Sequence, residues 1–492
     1  MVILVTSLLA VAIAGCGDGP KSATSSFDAV GNKIGAANGD RATASSERTK
    51  ESKADSTVHP EARPEPLSRT TPADKTEAPR DKTSAPPPPA VVKLPDPKAG
   101  GAGGAIDSMP TPAVADPLVG RESSKKPPQN TLPSGILTAG SFDDNVDPLV
   151  FNRYVKSMSQ RRGLGDLLTT MNGQRLMIFV KDSAGKPVGS ARVKLSAGTG
   201  TMVELVTRSD GRAVFLLSFD QLPADKDLQA KVTPPFGGKE VTDTIAAGSS
   251  RWEITLPSVQ AHLPKSLDLA IVLDTTGSMG DEIKYLAAEI RGISEAIKKQ
   301  FPEVQQRFSL ICYRDEGQGD EYVVRTFDFN TLDSFHKSLS DQRASGGGDY
   351  PEAMHRGLEE AIKLNWKNDP DTARIVFLIG DAPPHSQHMN TTLATANALR
   401  KKGIALYPIA CSGYDDACEF VMRSCALLTG SRFLFLTDDS GVGGGHAEPT
   451  IPYYQVERLE KLMIRTIASE LSGQQVPANP ADIIRTVGKK VN

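Results

Sequence analysis

Asp274-Thr275-Thr276-Gly277-Ser278 sets one carboxylate and two hydroxyls at alternate positions, so a turning loop can aim Asp274, Thr276 and Ser278 at one point. Two more oxygen-rich stretches lie downstream, Gly346-Gly347-Gly348-Asp349-Tyr350-Pro351-Glu352 and Gly380-Asp381-Ala382-Pro383-Pro384-His385. Carboxylates and hydroxyls, with no obligatory thiolate or imidazole, are the ligand set of a hard cation, Mg2+ foremost. A site with few protein carboxylates leaves positions for water and for an incoming acidic group. Asp349 and Glu352 also have a plainer reading, because Pro351 opens a helix and negative charge suits a first helical turn.

The elements around these loops alternate strand and helix. Leu267 to Leu273 (LDLAIVL) is a near-continuous apolar run, as expected of a parallel strand buried on both faces. From Asp281 to Lys299, Ile283, Leu286, Ile290, Ile293 and Ile297 recur at spacings of three and four and form one apolar helix face. Further strands are expected at Phe308 to Cys312, Ile375 to Ile379, Ile404 to Ile409 and Phe433 to Leu436. Helices are expected at Pro351 to Leu364, Thr392 to Lys401, Cys418 to Leu428 and Tyr454 to Leu471. The predicted class is α/β, a doubly wound, mostly parallel sheet over residues 265–475, followed by a short tail at 476–492. Such sheets bind ligands beyond the carboxyl ends of their strands, where all three oxygen-rich loops fall.

The loop Asp274 to Ser278, at the end of a buried first strand and with Asp381 following a later strand, resembles the metal-ion-dependent adhesion site of von Willebrand factor type A domains, Asp-x-Ser/Thr-x-Ser. The resemblance covers roughly Ser266 to Leu471. It implies that Asp274, Thr276 and Ser278 bind the ion directly or through water, with Asp381 acting through water or from just behind. Many members supply a Thr from the middle loop. Here Asp349-Tyr350-Pro351-Glu352 is instead similar to the integrin β-subunit version, which implies Glu352 as the middle-loop ligand and places Asp349 nearby for an adjacent ion. The added carboxylate would admit Mn2+ or Ca2+ as well as Mg2+.

Other polar groups have blander readings. Cys411, Cys418 and Cys425 are spaced seven apart; the latter two are too distant along a helix to bond, while Cys411, at a strand end, could reach one of them in a disulfide. Buried reduced thiols are nearly as well supported, and Cys312 reads as core. No Cys-x-x-Cys pair points to zinc. His385 and His388 read as loop residues beside the ion, and Tyr313 to Glu316, Asp320 to Tyr322 and Thr437 to His446 as charged or Gly-rich loops on the same rim. No Gly-x-x-x-x-Gly-Lys pattern implies a nucleotide.

Upstream, Leu176 to Val180, Ala191 to Leu195, Val203 to Thr207, Ala213 to Leu216, Leu228 to Val232 and Trp252 to Leu256 are short strands separated by turn residues. They predict a small β-sandwich within 136–260. Asp182 to Phe215 resembles carboxypeptidase-regulatory-like or Ig-like modules. Between Lys21 and Ser134 almost no large apolar side chain is available to bury, so residues 16–135 are expected to form a disordered tether. Residues 1–15 are expected to be an export leader: VILVTSLLAVAIAG is apolar, and Ile13-Ala14-Gly15-Cys16 resembles the bacterial lipoprotein lipobox, which implies lipidation at Cys16.

A formal charge of −3, from 56 basic and 59 acidic residues, offers no global reason to bind nucleic acid. A single apolar run excludes a polytopic membrane protein. The expectation is a non-enzymatic lipoprotein of the bacterial cell envelope, at the outer membrane if the source is Gram-negative. It would be held to the membrane by lipid at Cys16 and would bind an Asp or Glu of a protein partner through its cation. The alternatives are a structural tether whose ion only staples loops, and a hydrolase, for which neither His-Glu-x-x-His nor Gly-x-Ser-x-Gly is present.

Overall fold

The computed structural model describes residues 135–160, 164–198, 200–317, 319–441 and 445–489. The leader, Cys16 and the tether up to residue 134 lie outside the described residues. In chain order, β1 (Thr138–Phe142), α1 (Pro148–Ser157) and α2 (Gly165–Met171) come first. Then follow β2 (Arg175–Asp182), β3 (Arg192–Ser196), β4 (Met202–Val206), β5 (Arg212–Leu216), β6 (Leu228–Thr233), β7 (Val241–Ile245) and β8 (Arg251–Leu256). These strands form two sheets, β5-β2-β8 and β4-β3-β6-β7. Alternate residues of both sheets, among them Ile178, Val180, Val193, Leu195, Phe215, Val232 and Ile254, share one buried cluster, which makes the pair a sandwich.

The remaining elements are β9 (Ser266–Asp274), α3 (Gly280–Gln300), β10 (Gln305–Tyr313), β11 (Val324–Asn330), α4 (Leu332–Ser340), α5 (Met354–Lys363), β12 (Thr372–Gly380), α6 (Met389–Lys401), β13 (Ala405–Ala410), α7 (Asp416–Thr429), β14 (Phe433–Thr437), β15 (Tyr454–Arg458), α8 (Leu459–Ser472) and β16 (Arg485–Val487). The large sheet runs β11-β10-β9-β12-β13-β14-β1-β15-β16 and is parallel from β10 to β14. Every residue of β9 is buried. Leu267, Leu269, Ile271 and Leu273 face the layer that holds α3 and α8, while Ala270 and Val272 face the layer that holds α5, α6 and α7. This two-sided burial is the reason the strand reads as an unbroken apolar run.

Four expectations change. The segment before the sandwich does not belong to the β-domain: β1 is seated in the large sheet, antiparallel to both β14 and β15. Its small residues permit this, for a Cβ at Gly140 would lie 2.5 Å from the Phe435 ring. Tyr454 to Arg458 is a strand and not the start of a helix, because β1 supplies it with a pairing partner. The tail contributes β16, paired with β15. Finally, Cys312, Cys411, Cys418 and Cys425 are all free and buried, so of the two readings of the cysteines the structure has the reduced thiols and not the disulfide. Cys411 packs in the cluster on one face of the sheet, and Cys418 and Cys425 pack in the cluster on the other.

Candidate metal centre

The strand order puts the site at a switch point. From β9 the chain moves outward through β10 and β11 and then returns to lay β12 on the other side of β9, so the loops after β9 and β12 leave side by side. Asp274, the last residue of β9, is fully buried. Its Oδ1 accepts from both the backbone N–H of Thr276, at 2.8 Å, and the Thr276 hydroxyl, at 2.7 Å. The Ser278 hydroxyl lies 3.5 Å from that of Thr276, in the turn that leads into α3. Thr275 anchors the loop to β10 by donating to the Tyr313 carbonyl from its N–H and from its hydroxyl, each at 2.9 Å.

The middle loop closes over this turn. Gly277 N–H donates to the Gly346 carbonyl at 3.1 Å, and Ser345 N–H donates to the Thr275 carbonyl at 3.1 Å. Gly347 has φ +73°, and a Cβ there would lie 2.6 Å from Glu352 Oε1 and 3.1 Å from Thr276 Cβ, so only glycine lets the Glu352 carboxylate approach Thr276 this closely. Glu352 is buried, and its N–H donates to the Pro383 carbonyl at 2.9 Å, which ties it to the loop that carries Asp381. Tyr350 straps the same loops together: its hydroxyl donates to the Asp381 carbonyl at 3.2 Å and accepts from Asp415 N–H at 2.7 Å.

Asp274, Thr276, Ser278, Glu352 and Asp381 are thus brought together. Asp349 is not part of that group: it is exposed, and its carboxylate clusters with Asp315 and His385, whose ligand atoms lie within 4.8 Å of one another. Sequence reasoning set Asp315 and Asp320 only on the rim of the ion site; in the structure Asp315 Oδ1 is 2.7 Å from His385 Nε2, and Asp320 accepts from Gly347 N–H at 3.2 Å and so pins the glycine loop. Their only sequence signal was a charged stretch after a strand.

Among the described residues, Asp274 Oδ2 and Glu352 Oε2 are buried and have no hydrogen-bond partner of ordinary geometry, and the equally unpartnered Tyr313 hydroxyl lies near enough to Asp274 to offset part of its upward shift. Burial, with Asp381 nearby, pushes Asp274 up to about 7. Burial, with Asp274, Asp315, Asp381 and Asp320 around it, pushes Glu352 up to about 9. Asp381 is raised as well, chiefly by burial, and the Ser278 hydroxyl partly offsets the shift. Orphaned, mutually repelling buried carboxylates are costly unless something positive lies among them. The donor set, all oxygen and part carboxylate, part hydroxyl, fits a divalent cation.

Residues 268–411 match the von Willebrand factor A domain family, and this part of the chain is a domain of that kind. The chain is 29% identical over 148 residues to the α-protein kinase vwkA of Dictyostelium discoideum, a match covering 30% of this chain and 23% of the kinase. It is 37% identical over 116 residues to the mouse von Willebrand factor A domain-containing protein 7, covering 24% of this chain and 12% of that protein. The chain therefore spans under a quarter of either relative. Among solved structures it is similar to the pilus adhesin SpaC of Lactobacillus rhamnosus GG, with TM-score 0.28, 12% identity, and coverage of 55% of this chain and 33% of the adhesin. It is also similar to proximal thread matrix protein 1 of the mussel byssus, described with a zinc-occupied MIDAS motif, with TM-score 0.26, 17% identity, and coverage of 34% of this chain and 40% of that one.

Proposed function

We propose that this protein is a non-enzymatic, lipid-anchored component of the bacterial cell envelope whose von Willebrand factor A domain holds a divalent cation, Mg2+ foremost, and through it binds an acidic group of a protein partner. Asp274, Thr276, Ser278 and Glu352 hold the ion, and Asp381 supports it from behind. The observation that carries this reading is the pair of orphaned carboxylate oxygens, Asp274 Oδ2 and Glu352 Oε2, buried where the loops after β9 and β12 meet. The ion supplies positive charge and an open coordination position. Without it the site offers a partner's carboxylate other carboxyl groups and no positive charge, so binding should depend on the divalent ion. The lipid at Cys16 and the tether rest on the residues of the leader and on composition alone.

Titration calorimetry with Mg2+, Mn2+ and Ca2+ tests the site. Asp274→Ala should lower affinity about 100-fold or more while the far-ultraviolet circular dichroism stays native. Pull-downs from envelope extract, with Mg2+ or with EDTA, test the partner. The same proteins captured by wild type and by Asp274→Ala in both conditions would sink the adhesion reading, and loss of fold alone in the variant would leave only a structural ion.

A further inference from the structure

We propose a second metal site on the same rim, formed by Glu316, His355 and His388, which takes a borderline transition ion such as Zn2+ in place of a hard cation. The three residues come from separate elements. Glu316 lies in the loop after β10, His355 in the first turn of α5, and His388 at the end of the short 3-10 turn (Ser386–His388) that leads into α6. One donor atom from each lies within 4.8 Å of the other two. The carboxylate straddles the imidazoles, with Oε1 at 3.4 Å from His355 Nε2 and Oε2 at 3.5 Å from His388 Nε2. Both separations exceed the roughly 2.7–2.9 Å of a tight charge-assisted hydrogen bond, so Glu316 meets the rings only in loose ion pairs that require a protonated imidazole.

Two imidazoles and one carboxylate favour Zn2+, and other imidazole-binding ions such as Ni2+ or Cu2+, over Mg2+ or Ca2+. Three protein ligands also leave one position of a tetrahedral ion for water or for a group of a partner. The two rings are stacked, with centroids 3.9 Å apart and 12° between planes. An ion bonds in the plane of each imidazole, and parallel planes share no point, so one ring must turn to chelate. His388, with 28% of its side chain exposed, can turn, whereas His355, at 3%, is held by its packing. Turning draws the donors toward the spacing of about 3.3 Å set by zinc–nitrogen bonds of about 2.0–2.1 Å. The competing cation is Arg356, whose Nε is 3.5 Å from Glu316 Oε1, but Arg356 has its own partner in Glu359 at 2.8 Å and can release Glu316. This site shares no ligand with the Asp274 group, so each can fail alone.

The test is calorimetric titration of Zn2+ into the chelator-stripped full chain in saturating Mg2+, with Co2+ absorption as a report of tetrahedral nitrogen and oxygen ligation. Wild type and Asp274→Ala should both bind Zn2+, and His388→Ala and His355→Ala should each weaken it at least tenfold. His388→Ala keeps the test alive should loss of the buried His355 disturb folding, which circular dichroism will show. Asp349→Ala separates this site from the Asp315, Asp349 and His385 cluster and should leave affinity unchanged. Overturning results are an absence of Zn2+ binding by wild type, binding that survives His388→Ala, and binding lost on Asp274→Ala or Asp349→Ala.

Discussion

The carboxylates of Asp274 and Glu352 set the pH behaviour of the site. Both are held above their ordinary range by burial first, with Asp381 adding to the shift of Asp274 and Asp274 adding to that of Glu352. In the cation-free protein their contribution to stability is therefore fully present below about pH 4 and is lost as pH rises through about 7 for Asp274 and about 9 for Glu352. In EDTA, the wild-type melting temperature relative to Glu352→Gln should fall between pH 5 and pH 9. Added Mg2+ should raise the wild-type value most at the alkaline end, because binding needs the ionised forms. A difference that stays flat across this range would show that Glu352 does not titrate as its surroundings dictate. Gly347→Ala would push a methyl group between Glu352 and Thr276 and should reduce Mg2+ affinity about tenfold by calorimetry, while a native-like affinity would place Glu352 outside the ligand set.

At the scale of elements, β1, α1 and α2 complete the large sheet and its helical layer. Asp144, just after β1, receives Arg423 of α7 through Nε at 3.0 Å and a terminal nitrogen at 2.7 Å. Arg423 is fully buried, also reaches Glu419 at 2.9 Å, and lies 4.1 Å from the centre of the Tyr154 ring. Asp144→Ala would leave that guanidinium short of one buried partner and should cost about 3–5 kcal/mol in urea denaturation, since breaking a buried pair strands a charge. A loss under 1 kcal/mol would mean that Glu419 alone satisfies Arg423.

Across the whole molecule, the sandwich meets residues that precede the parallel strands. Ser190 donates to the Pro370 carbonyl at 2.7 Å, ahead of β12, and Arg212 donates to the Gly430 carbonyl at 3.2 Å, ahead of β14. The sandwich thus docks at the amino ends of the strands, away from the carboxyl ends that carry the candidate cation loops. A bidentate pair holds it there: Arg400 of α6 bonds both oxygens of Asp220, at 2.9 and 2.7 Å, with both side chains buried. Arg400→Ala should lower stability by about 3–5 kcal/mol and open the junction to limited proteolysis while Mg2+ affinity is kept. Loss of that affinity would show the two ends of the sheet to be coupled.

Some of this was legible from residue order alone. The apolar run of β9, the three-and-four spacing on α3 and the alternation in the sandwich strands each record burial along one element, and periodicity is local. The loop Asp274 to Ser278 was legible for the same reason, since its three oxygens are two residues apart. Tertiary structure decided what depends on distant pairing. β1 is too short and too rich in small residues to announce a strand, and it becomes one only where β14 and β15 pair with it, Thr138 lying opposite Thr437. The cysteines look bridgeable until the sheet separates Cys411 from Cys418 and Cys425. Glu316, His355 and His388 carry no motif, because loops after two strands and the first turn of a helix converge only once the sheet order is set. Sequence determined the strongly periodic elements and the first ligand loop, and packing across the sheet determined β1, β15 and which remote polar groups share a place.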